Sequence, residues 1–267
     1  MLTKTSTLFV AWQAPKGRSI TPVGRLDGRA GSYTFEYIAG ALSAHELGFP
    51  GFFEFPAFAA RYTSDVLFPL FQNRLMPTAR PDFSEHIGAL GLDPATVDPL
   101  CVLARSGGTR ATDRVELFAP PVYDPERRLW ETFFLLRGIR HRPPSAQDRV
   151  LSLSPQERLF AMLDLHNAYN PRALLLRTQD GYNVGYLPDY MVEDVASLVD
   201  RPQQLEIFVE RLNLPPLPVH HRVLCRLVAS WGADYMPYGS TTYQSLAGNP
   251  QAQQLDEQLT TPASAAE

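Results

Sequence analysis

Apolar and polar positions alternate in short bursts at the start of the chain. Leu8 to Trp12, Val23 to Leu26 and Ser32 to Tyr37 read as half-buried strands, with glycines at 24, 28 and 31 around the last two. An N-terminal strand followed by a hairpin is expected. A helical turn or two fits Ile38 to Leu47. The next segment, GFPGFFEFPAF (48–58), crowds proline, glycine and phenylalanine too closely for regular helix, so its phenylalanines are expected to plug a core. Ser64 stands where it can cap a helix from Asp65, in which Val66, Leu67, Leu70, Phe71 and Leu75 recur at helical spacing until Met76-Pro77. Further helices are expected from Pro81 to Leu90, closed by Gly91, and from Pro94 to about Ser106. After Gly107-Gly108, Arg114 to Phe118 reads as a strand.

Pro120-Pro121 and the charged turn DPERR (124–128) mark the expected domain boundary. Beyond it strands dominate: Thr132 to Ile139, Val150 to Leu153, Arg158 to Leu165, Ala173 to Arg177, Asn183 to Tyr186, Leu205 to Leu212 and Arg222 to Ala229. One helix starts at Pro188, with Met191 or Val192, Val195, Leu198 and Val199 on its apolar face. Short strands with one inserted helix predict an α+β chain whose second part is a small barrel or sandwich. The expected division is a hairpin-plus-helices domain over 1–121, a β domain over 130–245, and a disordered, charge-poor Gln/Ala/Thr-rich tail over 246–267.

Composition narrows the function. With 45% hydrophobic residues among 267, the chain can fill sizeable cores. It has no run of eighteen apolar residues and no leader-like start, so a cytoplasmic protein is expected. Cys101 and Cys225 lack metal-ligand spacing and read as small buried hydrophobes. The net charge of −4 argues against coating nucleic acid through a long-range basic field. Residues 1–130 carry 13 basic and 13 acidic side chains, leaving 11 and 15 for 131–267, so the acidity lies in the second half. Lys4 and Lys16 are the only lysines. Arginine suits bidentate and stacking contacts with phosphates and bases, and its excess also fits a GC-rich genome.

The common catalytic sets are missing. There is no Gly-Lys pair for a phosphate loop, no strand lysine behind a glycine-rich loop for a kinase, no HExxH and no GxSxG. His220-His221 reads as a solvated loop pair. Asp189, Glu193 and Asp194 read as acids favoured at a helix N-terminus. Gly107-Gly108, between Arg105 and Arg110, reads as a turn more readily than as a phosphate cradle. The expectation is a protein that is not an enzyme and needs neither cofactor nor metal.

The second half also carries an ordered series: Gly138 after a strand, N-x-Y-x-P-x-A at Asn167, Tyr169, Pro171 and Ala173, a strand, the turn Asp180-Gly181, and VGYLP (184–188) leading into a helix. Over about Thr132 to Ala229 this resembles the HIRAN domain, an OB-like β-barrel found fused to Swi2/Snf2-type remodellers and, in bacteria, alone or in other fusions. In its best-understood members the pocket captures a single-stranded 3′ DNA end. The resemblance implies that Tyr169 is the aromatic on which a base stacks, although by itself the residue reads equally as core. Asn170 stands where end-binding relatives carry an aspartate for the terminal hydroxyl, and Leu135 and Leu136 stand where they carry a tyrosine. Asn167, Arg172, Arg137, Arg140 and Arg142 complete the expected nucleic-acid-binding set, and Arg137, Arg140, Arg142 and Arg149 read either as a backbone groove or as a solvated loop. Asn167 and Pro171 also read as turn formers, and Gly181 and Gly185 as suppliers of backbone freedom.

GRLDGRAGSYTFEY (24–37) and LFPLFQNRLMPTARPDF (67–83) are similar to the N-terminal subdomain of HipA toxins. That likeness implies an interaction module with Leu67, Phe68, Phe71, Arg74 and Arg80 as partner contacts, the first three also reading as core. Two functions follow as expectations. One is a DNA-binding adaptor whose N-terminal half recruits a helicase, nuclease or kinase subunit. The other is an antitoxin-like regulatory subunit of a HipA-type kinase without direct DNA binding.

Overall fold

The computed structural model describes residues 6–16, 20–29, 31–201, 203–232 and 235–260. Strands β2 (Ile20–Arg29) and β3 (Ser32–Tyr37) form the expected hairpin, and the N-terminal strand β1 (Thr7–Gln13) pairs with β2 to make an antiparallel meander. Both faces of β1 are covered, which explains its nearly continuous apolar run. Leu8, Val10 and Trp12 enter one core, while Phe9 and Ala11 enter a second cluster with Ile38, Phe118 and Tyr238. Helix α1 (Gly40–Glu46) follows. Phe49, Phe55 and Phe58 plug the first core, where Phe55 stacks on Phe35 at 4.0 Å, but Phe53 is fully exposed.

The helix expected from Asp65 is not present. Residues Arg61–Ser64 form β4, paired with β3, and only Pro69–Gln72 is helical (α2). Cross-strand pairing outweighs the local capping signal of Ser64. The expected partner contacts Leu67, Phe68 and Phe71 are core residues, buried because α2 lies against Phe35 and Phe55. Helices α3 (Phe83–Ala89) and α4 (Pro99–Ser106) follow. The latter begins later than Pro94, because the Asp98 carboxylate accepts the Leu100 amide hydrogen at 2.8 Å. Strand β5 (Val115–Phe118) completes a five-stranded sheet of order β4-β3-β2-β1-β5.

The second sheet has seven antiparallel strands. Its elements are β6 (Val122–Asp124), β7 (Leu129–Leu135), α5 (Pro144–Leu151), β8 (Arg158–Leu163), β9 (Leu174–Arg177), β10 (Asn183–Tyr186), α6 (Asp189–Ala196), β11 (Leu205–Leu212) and β12 (Val223–Ala229). The order is β10-β9-β8-β11-β12-β7-β6. The segment Val150 to Leu153, expected as a strand, begins as the end of α5, whose buried Ala146 and Val150 lie one turn apart.

The expected barrel is not closed. The sheet curls until Arg137, just past β7, meets Tyr186 in β10, and the two exchange backbone hydrogen bonds of 3.0 and 2.8 Å. That contact is one isolated bridge rather than a ladder. Gly185 serves this approach and does not adopt positive φ, since a Cβ there would stand 2.5 Å from the Arg137 carbonyl oxygen.

The two sheets share a seam. Ile87, Leu90 and Val102 pack with Leu135 and Leu224, Phe118 lies face to face with Tyr190 at 4.0 Å, and Asn213 Nδ2 donates to the Ala89 carbonyl at 2.9 Å. The tail expected to be disordered from residue 246 instead returns to the first core. Leu246 is buried there, and α7 (Pro250–Thr260) buries Ala252. The Asp256 carboxylate accepts the Phe58 and Ala59 amide hydrogens at 2.7 and 2.9 Å. Residues 261–267 of that expected tail lie outside the described residues.

Candidate nucleic-acid interface

A cleft of about 690 Å³ opens where the curled sheet meets the first one. It is lined by Tyr169, Asn170, Asn167, Arg137, Arg140 and Arg142, bringing together six of the seven residues expected to bind nucleic acid. The seventh, Arg172, is exposed outside it. Gln13, Ile20 and Glu116, from the first sheet, line the opposite side.

The turn that carries Tyr169 is built by side-chain hydrogen bonds. Asn167 Oδ1 accepts the amide hydrogens of Tyr169 and Asn170, each at 3.0 Å, an Asx turn that fixes the backbone between β8 and β9. Tyr169 is 66% exposed, which decides against the core reading. Asn170 is oriented from both ends, because its Oδ1 accepts the Arg172 amide at 2.9 Å and its Nδ2 donates to Asp189 Oδ1 at 2.9 Å. A carboxylate therefore does enter this corner of the cleft, from the start of α6.

Tyr186 provides a second aromatic ring. The Arg142 guanidinium lies over it at 4.7 Å, and the Tyr186 hydroxyl accepts from Arg142 Nη2 at 3.2 Å and donates to Asp164 Oδ2 at 2.7 Å. Burial, reinforced by Asp164, pushes the Tyr186 phenol up. The same hydroxyl holds the Asp164 carboxyl below its ordinary value. The expected tyrosine is thus absent at Leu135 and Leu136, both buried, and an aromatic reaches the cleft from another strand.

The three cleft arginines differ. Arg140 is exposed and its Nε lies 3.0 Å from His141 Nε2. Arg142 is engaged with Tyr186. Arg137, expected among the DNA contacts, is ion-paired with Glu116 of β5, so it belongs neither to a solvated loop nor to an open groove. Burial pushes the Glu116 carboxyl up while Arg137 pulls it down. Asp189 and the Tyr190 hydroxyl also act on Arg137. Among the described residues, three carboxylates (Glu116, Asp164 and Asp189) and three guanidiniums (Arg137, Arg140 and Arg142) line the cleft, so their formal charges balance.

Among the expected partner contacts, Arg74 is also committed. Its side chain is almost wholly buried, with Nη2 2.6 Å from Asp113 Oδ2 and Nη1 donating to the Gly108 carbonyl at 2.8 Å. Arg80 is exposed and paired with Asp82 at 2.8 Å. Among the described residues no group of three or more His, Cys, Asp or Glu is placed to hold a metal, and no helix is long and apolar enough to cross a membrane. Both cysteines are buried and unbridged.

Sequence reading did not single out Tyr186, Asp164, Asp189 or Glu116 for the site. Tyr186 lies in the VGYLP motif and was legible as a signature without its position being so. The others come together only through pairing of distant segments.

Residues 131–231 match the family model of the HIRAN domain, and this part of the chain is a HIRAN domain. Three solved structures are similar at low scores. The crystal structure of the HIRAN domain of human HLTF is 17% identical, with 37% of this chain and 71% of that one covered and a TM-score of 0.27. A protein from Lactobacillus plantarum is 16% identical over 37% of this chain and 98% of its own, with a TM-score of 0.29. The NMR structure of the HLTF HIRAN domain in its DNA-bound conformation is 15% identical over 40% and 76%, with a TM-score of 0.25. No curated protein matches the chain. Residues 1–130 lie outside the family match, and no similarity to the HipA N-terminal subdomain was found, so the likeness expected there is withdrawn.

Proposed function

We propose that this protein is a non-catalytic DNA-associated adaptor whose HIRAN domain takes a single-stranded DNA segment or end into the cleft. One observation carries the reading: Tyr169 projects at the rim, on a turn held by Asn167, beside Tyr186, Arg140 and Arg142. An exposed ring stacks any base, and the guanidiniums are suited to the phosphates that follow it. Asn170 and Asp189 form a hydrogen-bonded acceptor corner fitted to a sugar hydroxyl. The HIRAN family match supports the assignment.

Recruitment of a partner by the N-terminal half remains part of this proposal, but not through Leu67, Phe68, Phe71 or Arg74, which are buried. The HipA-subunit alternative has no observation in its favour. Fluorescence anisotropy with labelled single-stranded and duplex oligonucleotides tests the DNA reading. Binding of single strands at low salt is expected, and no binding tighter than tens of micromolar would sink it. Tyr169→Ala should weaken binding by about 1–3 kcal/mol, the usual worth of one stacked base.

A further inference from the structure

The cleft is not made by the HIRAN domain alone. Glu116 stands in β5 of the first sheet, yet its carboxylate holds the guanidinium of Arg137, the cation nearest the bridge that brings the curled sheet together. Gly107, at the end of α4, packs over the pair: a Cβ there would lie 3.3 Å from Glu116 Oε1 and 3.5 Å from Arg137 Nη2. Both side chains are mostly buried, 14% and 29% exposed, so solvent screens the pair poorly. Asp189, which also lines the cleft, adds a second carboxylate that attracts the same guanidinium. Arg137 therefore lines the cleft without offering it a net positive charge.

We propose that Glu116 makes the first sheet a determinant of nucleic-acid affinity, by neutralising Arg137 and leaving, among the described residues, two arginines of the cleft available, Arg140 and Arg142. This rests on the DNA reading above and deepens it. The first sheet then lowers the affinity of the HIRAN cleft for the backbone. Base stacking on Tyr169 is left as the larger share of binding, in keeping with a negative overall charge.

The test uses the full chain and a labelled oligothymidylate, with affinity measured against salt concentration. Each phosphate neutralised in a single strand contributes about −0.7 to the logarithmic salt slope, so the wild type should show about −1.4 and Glu116→Gln about −2.1. The variant should also bind several-fold more tightly at low salt and melt at a lower temperature, because it leaves a buried guanidinium without its main partner. The double variant Glu116→Gln, Arg137→Gln removes both charges together and should keep the wild-type affinity and slope.

Wild-type binding with an unchanged slope in Glu116→Gln overturns this inference and leaves the DNA reading standing. Loss of affinity in the double variant also overturns it, since Arg137 must then face the ligand in the wild type. If Glu116→Gln does not stay folded, the double variant decides alone. No binding by the wild type removes both proposals, since the inference rests on the DNA reading.

Discussion

Individual side chains in this protein are set by close approaches as much as by chemistry. Gly185 is the clearest case: its missing Cβ lets Arg137 and Tyr186 exchange two backbone hydrogen bonds, and those bonds place Tyr186 in the cleft. Gly185→Ala should therefore cost about 1–3 kcal/mol of stability, as overpacked sites do, read as a lower urea midpoint at unchanged slope. Base-stacking affinity should fall with it, since the second ring moves. At this scale the sequence was informative where a residue acts through its neighbours. Asn167, Tyr169 and Asn170 form a local turn, and their place in the cleft was expected. Tyr186, Asp164 and Asp189 answer to partners 19 to 44 positions away, and no local pattern announces such contacts.

Elements that bury one face were legible and those defined by pairing alone were not. β8 to β12 carry enough alternation or apolar content to be read, and β11 was expected with its observed bounds. Ser64, the last residue of β4, reads as a helix cap because the strand's four residues gain their structure only from β3, and β6 is not legible as a strand because three residues carry no period. The tail failed for a related reason. Its Gln- and Ala-rich sequence is weakly amphipathic, and α7 is fixed by Asp256 against amides nearly 200 positions earlier. Asp256→Ala removes an acceptor from two backbone donors, and a loss of about 1–3 kcal/mol is expected. Hydrogen exchange should then accelerate in α7 and at Phe58 and Ala59 while the second sheet stays protected.

At the scale of the whole molecule, the seam between the sheets carries a pH dependence. His221, expected in a solvated loop, is 8% exposed, with His86 from α3 at 5.4 Å and His220 at 4.4 Å between ring centroids. Burial, with added repulsion from His220, His86 and Arg137, holds His221 at about 4. Burial also lowers His86 and His220, against an attraction from Asp82 at His86. A depressed pKa in the folded state means that the unfolded chain takes up the proton first. The contribution is complete above the ordinary histidine value near 6.5 and is lost as pH falls through about 4. The melting temperature should decline over that window, and His221→Phe should flatten the decline by removing at most about 3 kcal/mol of linkage.

The chain's return to its first core has a consequence in time. Leu246 and Ala252 belong to the same core as Trp12, Phe49 and Phe58, and Leu255 packs against it. During synthesis the second sheet is finished at Ala229, before any of these three residues exists. The first core therefore cannot be closed until the chain has been made past the whole second sheet, although its first strand is among the earliest segments to be synthesised.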